Sequence, residues 1–218
     1  LIILALPIQH MLSTALQFPD FAGQAVVTDV GSTKASVVAD LAGPVRERGG
    51  TFIGSHPMAG SEKSGLQYAE ADLFEGAAVV LTPLEGELDS EPTRRLEAFW
   101  ERLGGNVRVL DAAHHDKVVA AVSHLPHLLS SALVRSALGG RDGVYADLTG
   151  SGFRDSTRIA AGDPDMWTEI LTDNREALLA EMDRLMGELG SWKEAVQKLD
   201  KEELRSFLSE AQELRNAV

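Results

Sequence analysis

The 218-residue sequence has no cysteine, which excludes disulfides, thiolate zinc sites and thiol nucleophiles and fits a reducing cytoplasm. Basic runs are missing as well. Against 33 acidic residues stand 20 Lys and Arg, giving a net charge of −13. Phosphate binding needs clustered cations, so nucleic acid is excluded as a partner. The opening run, Leu1 to Pro7, has neither an initiator Met nor a basic flank. It is too short to span a bilayer or serve as a signal, so no membrane association is expected. It reads as a strand buried on both faces, and hence as a chain whose true beginning lies upstream. No internal repeat, low-complexity tract or flexible linker is present.

What is there falls into two regimes. Apolar runs at residues 1–6, 24–30, 51–54, 77–82 and 106–110 have strand length. Between them His10–Leu16, Ala35–Leu41 and Glu91–Leu103 have helical spacing, so residues 1–110 read as α/β with a mostly parallel sheet. Gly31 falls at the carboxyl end of the second strand, the rim where open α/β sheets bind ligands, with Ser32 as expected N-cap of the next helix. After Leu110 the period changes. Val118, Val122, Leu125, Leu129 and Leu133 predict the apolar stripe of one long helix over 112–138, kinked at Pro126 and ended by Gly139-Gly140. Asp163-Pro164 starts another helix; Leu178, Met182, Leu185 and Leu189 mark a third, interrupted by Gly190. Asp200 with Glu203 resembles a capping box before a last. Residues 111–218 therefore read as all-α. Their apolar surface exceeds what a small bundle needs, which points to a second copy of the chain.

Five polar clusters carry the candidate chemistry. Gly54-Ser-His-Pro-Met-Ala-Gly-Ser-Glu-Lys-Ser-Gly65 reads as a polar loop just past a strand end, with His56 as candidate acid or base. The others are Ser32 with Lys34, Ser123-His-Leu-Pro-His127, Gly150-Ser-Gly-Phe-Arg-Asp-Ser-Thr-Arg158 and His114-His115-Asp116. Each has a plainer explanation: an N-cap for Ser32, a polar first helical turn for 114–116, solvated side chains for Arg154 and Arg158. His124 and His127 have a zinc-compatible spacing but no third ligand nearby, so no metal is expected.

In order, Thr-Asp-Val-Gly-Ser-Thr-Lys (28–34), Ser-His-Pro-Met-Ala-Gly-Ser-Glu-Lys-Ser-Gly (55–65), His-Asp…Val-Ser-His-Leu-Pro-His (115–127) and Gly-Phe-Arg-Asp-Ser-Thr-Arg-Ile-Ala…Asp-Pro-Asp-Met-Trp (152–167) resemble the prephenate dehydrogenase family of tyrosine biosynthesis, with its arogenate-using relatives. The resemblance covers nearly the whole chain. It implies a Rossmann-type dinucleotide-binding domain over 1–110, N-terminally incomplete, followed over 111–218 by an all-α domain through which two subunits pair. The family's glycine-rich βαβ unit does not occur in these residues, so Leu1 falls at what looks like that domain's fourth strand. NAD is the implied cofactor, with NADP not distinguished from it.

The reaction so implied oxidises the ring alcohol of prephenate by hydride transfer, with loss of the ring carboxylate as carbon dioxide. By resemblance His56 is the base and Ser32 bonds the same hydroxyl or orients His56. Arg158 holds a substrate carboxylate, with Arg154 and Lys63 assisting. Ser61, Ser123 and His127 line the substrate pocket, His124 being the weaker of the two histidines, and Pro7, Ser32 and Ser123 contact the cofactor. Arogenate dehydrogenase, another two-domain hydroxy-acid dehydrogenase, and a non-catalytic helical dimerisation module with a degenerate nucleotide domain remain open at this level.

Overall fold

Short β-branched runs in the first half pair into two three-stranded sheets. In the computed structural model, which describes residues 1–21, 25–60 and 65–217, strands β1 (Ile2–Leu4), β2 (Ala25–Asp29) and β3 (Gly50–Phe52) are all parallel, in the order β1-β2-β3. Strands β4 (Gly54–Pro57), β5 (Ala78–Thr82) and β6 (Asn106–Val109) form the second sheet, β4 antiparallel to β5 and β5 parallel to β6. A single residue, Ile53, separates β3 from β4, and its N–H still bonds the Val27 carbonyl at 3.0 Å. One continuous segment thus joins the sheets. Helices α1 (Ile8–Ala15), α2 (Ala35–Glu47) and α3 (Glu91–Arg102) complete the α/β part. Two cores result: Met11, Val27, Leu41, Val45 and Phe52 form one, and Ile53, Val79, Leu81, Leu96 and Trp100 the other.

Several expectations are corrected here. Among the described residues β1 pairs with β2, and Leu4 is the buried one of its three residues. The single strand expected over 51–54 is two, and His56 lies within β4 rather than in a loop past a strand end. Antiparallel pairing with β5 holds that segment extended, with His56 opposite Val80. Ser32 is not the N-cap of α2; Lys34 occupies that position without a side-chain cap of its own.

The second half is helical throughout: α4 (Ala112–Val119), a π-helical turn (Ala120–His124), α5 (Leu125–Leu138), α6 (Gly143–Asp147), α7 (Ser151–Thr157), a 3₁₀ turn (Arg158–Ala161), α8 (Pro164–Asp173), α9 (Arg175–Lys198) and α10 (Lys201–Asn216). The expected break at Pro126 is a π turn just before it. The Leu125 N–H reaches back to the Ala120 carbonyl, and Pro126 falls in the first turn of α5, where a missing N–H is harmless. The apolar stripe is also reassigned. Of that stripe Leu125 is buried, while Val118, Val122, Leu129 and Leu133 are exposed; beside Val119, Ala120 and Leu125 the buried positions are polar: His115, Asp116, His124, His127 and Ser130. Gly190 does not interrupt its helix, since α9 runs 24 residues through it.

The chain divides into two compact units, Leu1–Leu178 and Leu179–Val218. Within the second, Trp192 packs against Phe207, and Asp200 caps α10 by accepting the Glu203 N–H.

Candidate active site

The site is built where the α/β strands meet α4 and the π turn, all within the first unit. Its base is a pair of buried charges. Asp29, at the end of β2, receives the Lys34 ammonium and the N–H groups of Gly31 (2.8 Å) and Ser55 (3.1 Å). Lys34 is wholly buried. Burial lowers its pKa, and the Asp29 carboxylate works against that shift. Gly54 makes the arrangement possible, since a Cβ there would lie 2.5 Å from the Thr82 hydroxyl and 3.1 Å from the Lys34 stem.

Beside this pair runs a chain of imidazoles. His56 Nδ1 lies 2.8 Å from His115 Nε2, and His115 Nδ1 lies 2.7 Å from Asp116 Oδ1. Asp116 does not serve its own helix, whose cap is Asp111. It accepts instead the N–H groups of Lys34 and Ala35, both at 2.8 Å, and so caps α2 from 81 residues away. The polar turn 114–116 does lie at the start of α4, but it is not solvated throughout: His115 is 1% and Asp116 7% exposed. Burial by itself would raise the Asp116 pKa. The His115 hydrogen bond and the two backbone donors outweigh that and hold it below the usual carboxylate range. His56 moves the other way for a base. Burial, reinforced by His115, Lys34 and His124, drives its pKa well below the ordinary imidazole value, leaving it neutral at pH 7.

Asn174 links this chain to an aromatic cluster. Its amide donates to the Asp116 carbonyl at 2.7 Å and lies 3.1 Å from His124 Nδ1. Burial, partly offset by Asp116, lowers the His124 pKa to about 4. The His124 ring meets Trp167 edge-on, and His127 stacks flat on the same indole at 3.5 Å and 10°. Gly162 leaves room for that stack, because a Cβ there would sit 2.6 Å from Trp167 Nε1 and 3.1 Å from His127 Cε1. Burial also lowers the His127 pKa. Among the described residues, His124 Nε2 and His127 Nδ1 are buried polar atoms without a hydrogen-bond partner.

Two cavities flank α8. One, about 530 Å³, lies at the carboxyl ends of β1 and β2 and is lined by Pro7, Gly31 and Ser32, with Met166 and Ile170 opposite. The other, about 400 Å³, is lined by His127, Arg135, Trp167 and Thr168. The structure therefore brings Pro7 together with Ser32, His127 with Trp167, and His56 with His115. Ser123 is half-buried on the π turn. Arg154 is exposed and bonds the Thr149 carbonyl, and Arg158 is exposed at the first position of the 3₁₀ turn. Ser61 and Lys63 lie outside the described residues.

Sequence reasoning left Trp167 and Asn174 without roles, and its plain reading of 114–116 was a polar first turn of a helix. The available signal was the polar character of 115, 116, 124 and 127 on one side of a helix that is otherwise apolar.

Comparison with known proteins agrees with this architecture. The family model "Prephenate dehydrogenase, nucleotide-binding domain" matches residues 1–109, and "Prephenate dehydrogenase, dimerization domain" matches 111–210. The whole chain is 37% identical to the prephenate dehydrogenase of Lactococcus lactis subsp. cremoris and spans 60% of its length. The crystal structure of prephenate dehydrogenase from A. aeolicus, in complex with hydroxyphenyl propionate and NAD+, superposes with a TM-score of 0.90 at 34% identity, over 99% of this chain and 75% of that one. That of Synechocystis arogenate dehydrogenase gives 0.83 at 34%, over 99% and 77%. With both family models matching in order along almost its full length, the chain belongs to the prephenate dehydrogenase family.

Proposed function

We propose that this chain carries the reaction centre of an NAD-dependent dehydrogenase that converts prephenate to 4-hydroxyphenylpyruvate and carbon dioxide, with His56 as the base. The observation that carries this reading is His56 itself: a neutral imidazole, buried in β4 and tied to a His–Asp pair, in a chain matched by this family over residues 1–109 and 111–210. Bound NAD would supply the hydride acceptor for the ring carbon that bears the hydroxyl. His56 takes the hydroxyl proton, the bond from the ring to its carboxylate breaks, and the released electron pair makes the ring aromatic. The proton then returns from His56 to the phenolate oxygen, so no net proton is gained or lost. The lowered pKa keeps His56 in the neutral, proton-accepting form at pH 7.

Pro7 and Ser32 fit the nicotinamide end of the cofactor, since their cavity has an apolar wall in Leu6, Met166 and Ile170. The same cavity is lined by Asp163, Asp165 and Glu169. It therefore does not fit the diphosphate, which needs N–H donors or cations. Ser123 is assigned to the cofactor's side of the pocket on family resemblance. Arg158 takes a substrate carboxylate, supported by Arg154, Ser61 and Lys63, and His127 on Trp167 forms a wall of the substrate pocket. We assign residues 1–110 to the nucleotide-binding domain and 111–218 to the helical one, in a cytoplasmic homodimer. The one segment among the described residues long and apolar enough to cross a membrane, Ala112–Leu138, carries this buried histidine network. A core helix accounts for it better than a membrane span does.

The equal identity to a prephenate and an arogenate dehydrogenase supports a second substrate reading, in which arogenate replaces prephenate. The deciding assay follows NADH formation by the protein from its complete gene, with prephenate and arogenate in turn. Turnover of prephenate supports the first reading, turnover of arogenate alone the second, and neither overturns both. His56→Asn should bind substrate and lower kcat by roughly 10²-fold or more. Near-normal turnover would remove His56 from the reaction.

A further inference from the structure

We infer that His115 and Asp116 are positioning residues that fix the tautomer of His56, holding its proton on Nδ1 so that Nε2 always presents a lone pair to the substrate hydroxyl. The inference rests on the reading of His56 as the base. Its own support is geometric. An ionised Asp116 only accepts, and its Oδ1 is 2.7 Å from His115 Nδ1, so the hydrogen lies on that nitrogen. With the ring hydrogen on Nδ1, His115 turns its Nε2 lone pair toward His56 Nδ1, 2.8 Å away. His56 must donate there, and Nε2 is left as the basic nitrogen.

What keeps Asp116 ionised and aimed comes from a different element. The N–H groups of Lys34 and Ala35, the N-cap and first residue of α2, hold both its oxygens, and Asn174 holds its carbonyl. The carboxylate therefore cannot rotate away from His115 without leaving a helix end unsatisfied. In this arrangement the direction of proton transfer is set by a helix cap. The other charged or titratable groups acting on His56 are Lys34, beneath β4 and paired with Asp29, and His124 on the π turn; Asp173 acts on Lys34 in turn. None of these donates to or accepts from His56 Nδ1. Among the described residues the tautomer is thus controlled through His115.

The test is a pair of variants of the protein from its complete gene, read as kcat, KM and the pH profile of kcat. His115→Leu removes the acceptor for His56 Nδ1. It should lower kcat by about 10–10²-fold with KM for prephenate changed less than about threefold, and displace the acid limb of the kcat profile. His115→Gln restores an acceptor oxygen toward His56 and an amide donor toward Asp116. It should recover at least about tenfold of that loss and return the acid limb toward the wild-type position. A structural role for His115 predicts instead that both variants lose activity in step with their loss of thermal stability and keep the wild-type profile. That outcome, or a kcat for His115→Leu within about threefold of wild type, overturns the inference. The proposed function fails separately, in wild-type protein that does not reduce NAD with either substrate. Should His115→Leu not fold, His115→Asn replaces it. Its shorter side chain cannot span both contacts, so it should show the loss and not the recovery, and a wild-type profile in it overturns the inference as well.

Discussion

At the scale of single residues, the buried histidines tie stability to pH. His124 has a folded pKa of about 4, against about 6.5 for an unfolded histidine. The unfolded chain therefore binds a proton that the folded one refuses. The stabilisation is complete above about pH 6.5 and is lost as pH falls toward 4. At pH 5 the loss from this one group is about 2 kcal/mol. His56 adds to the fall with the same sign, since its pKa is also lowered by burial. Urea unfolding at pH 7 and pH 5 should show the drop, and His124→Gln, which keeps an acceptor for Asn174, should reduce it by about that amount. A pH dependence unchanged in His124→Gln would mean that His124 titrates as freely folded as unfolded.

At the scale of elements, the helices show how local rules yield to packing. Helix α9 runs through Gly187 and Gly190, and a Cβ at either position would meet nothing within 4 Å. Glycine inside a helix is disfavoured by about 1 kcal/mol relative to alanine. Gly190→Ala should therefore stabilise the protein by roughly 0.5–1 kcal/mol, measured as a rise in the urea midpoint. A fall would show that a further group packs against that face of α9 in the assembled protein. Helix α2 presents the opposite case: its N-terminus carries no cap of its own and depends on Asp116. A helix end and the proposed relay thus share one carboxylate.

At the scale of the whole molecule, apolar surface decides the assembly. The unit 179–218 leaves Leu179, Met186, Leu189, Val196, Leu199 and Leu208 exposed, and α4 and α5 expose Val122 and Leu133. Patches of this kind belong to interfaces. With a dimerization domain matched over 111–210, the protein is expected to run at twice its chain mass in light scattering. Leu189→Glu should shift it toward the monomer.

The alternation of strand and helix up to Leu110 and the change to helices after it followed from the amino-acid sequence alone, because periods of 2 and 3.6 residues are local properties. The caps at Asp163 and Asp200 followed in the same way, since a cap acts within one turn. The candidate histidines were legible as residues, and the family's motifs gave them an order. The tertiary structure alone decided which side of the 112–138 helix is buried, that His56 stands in a strand, and that Asp116 caps a helix 81 residues away. The stripe misled because periodicity reports where apolar residues lie and not what covers them. Here the polar side carries the site, and the apolar side faces outward. Hydrogen bonds between residues tens of positions apart leave no period in a sequence, so the link from Asp116 through His115 to His56 became visible only once the chain was folded.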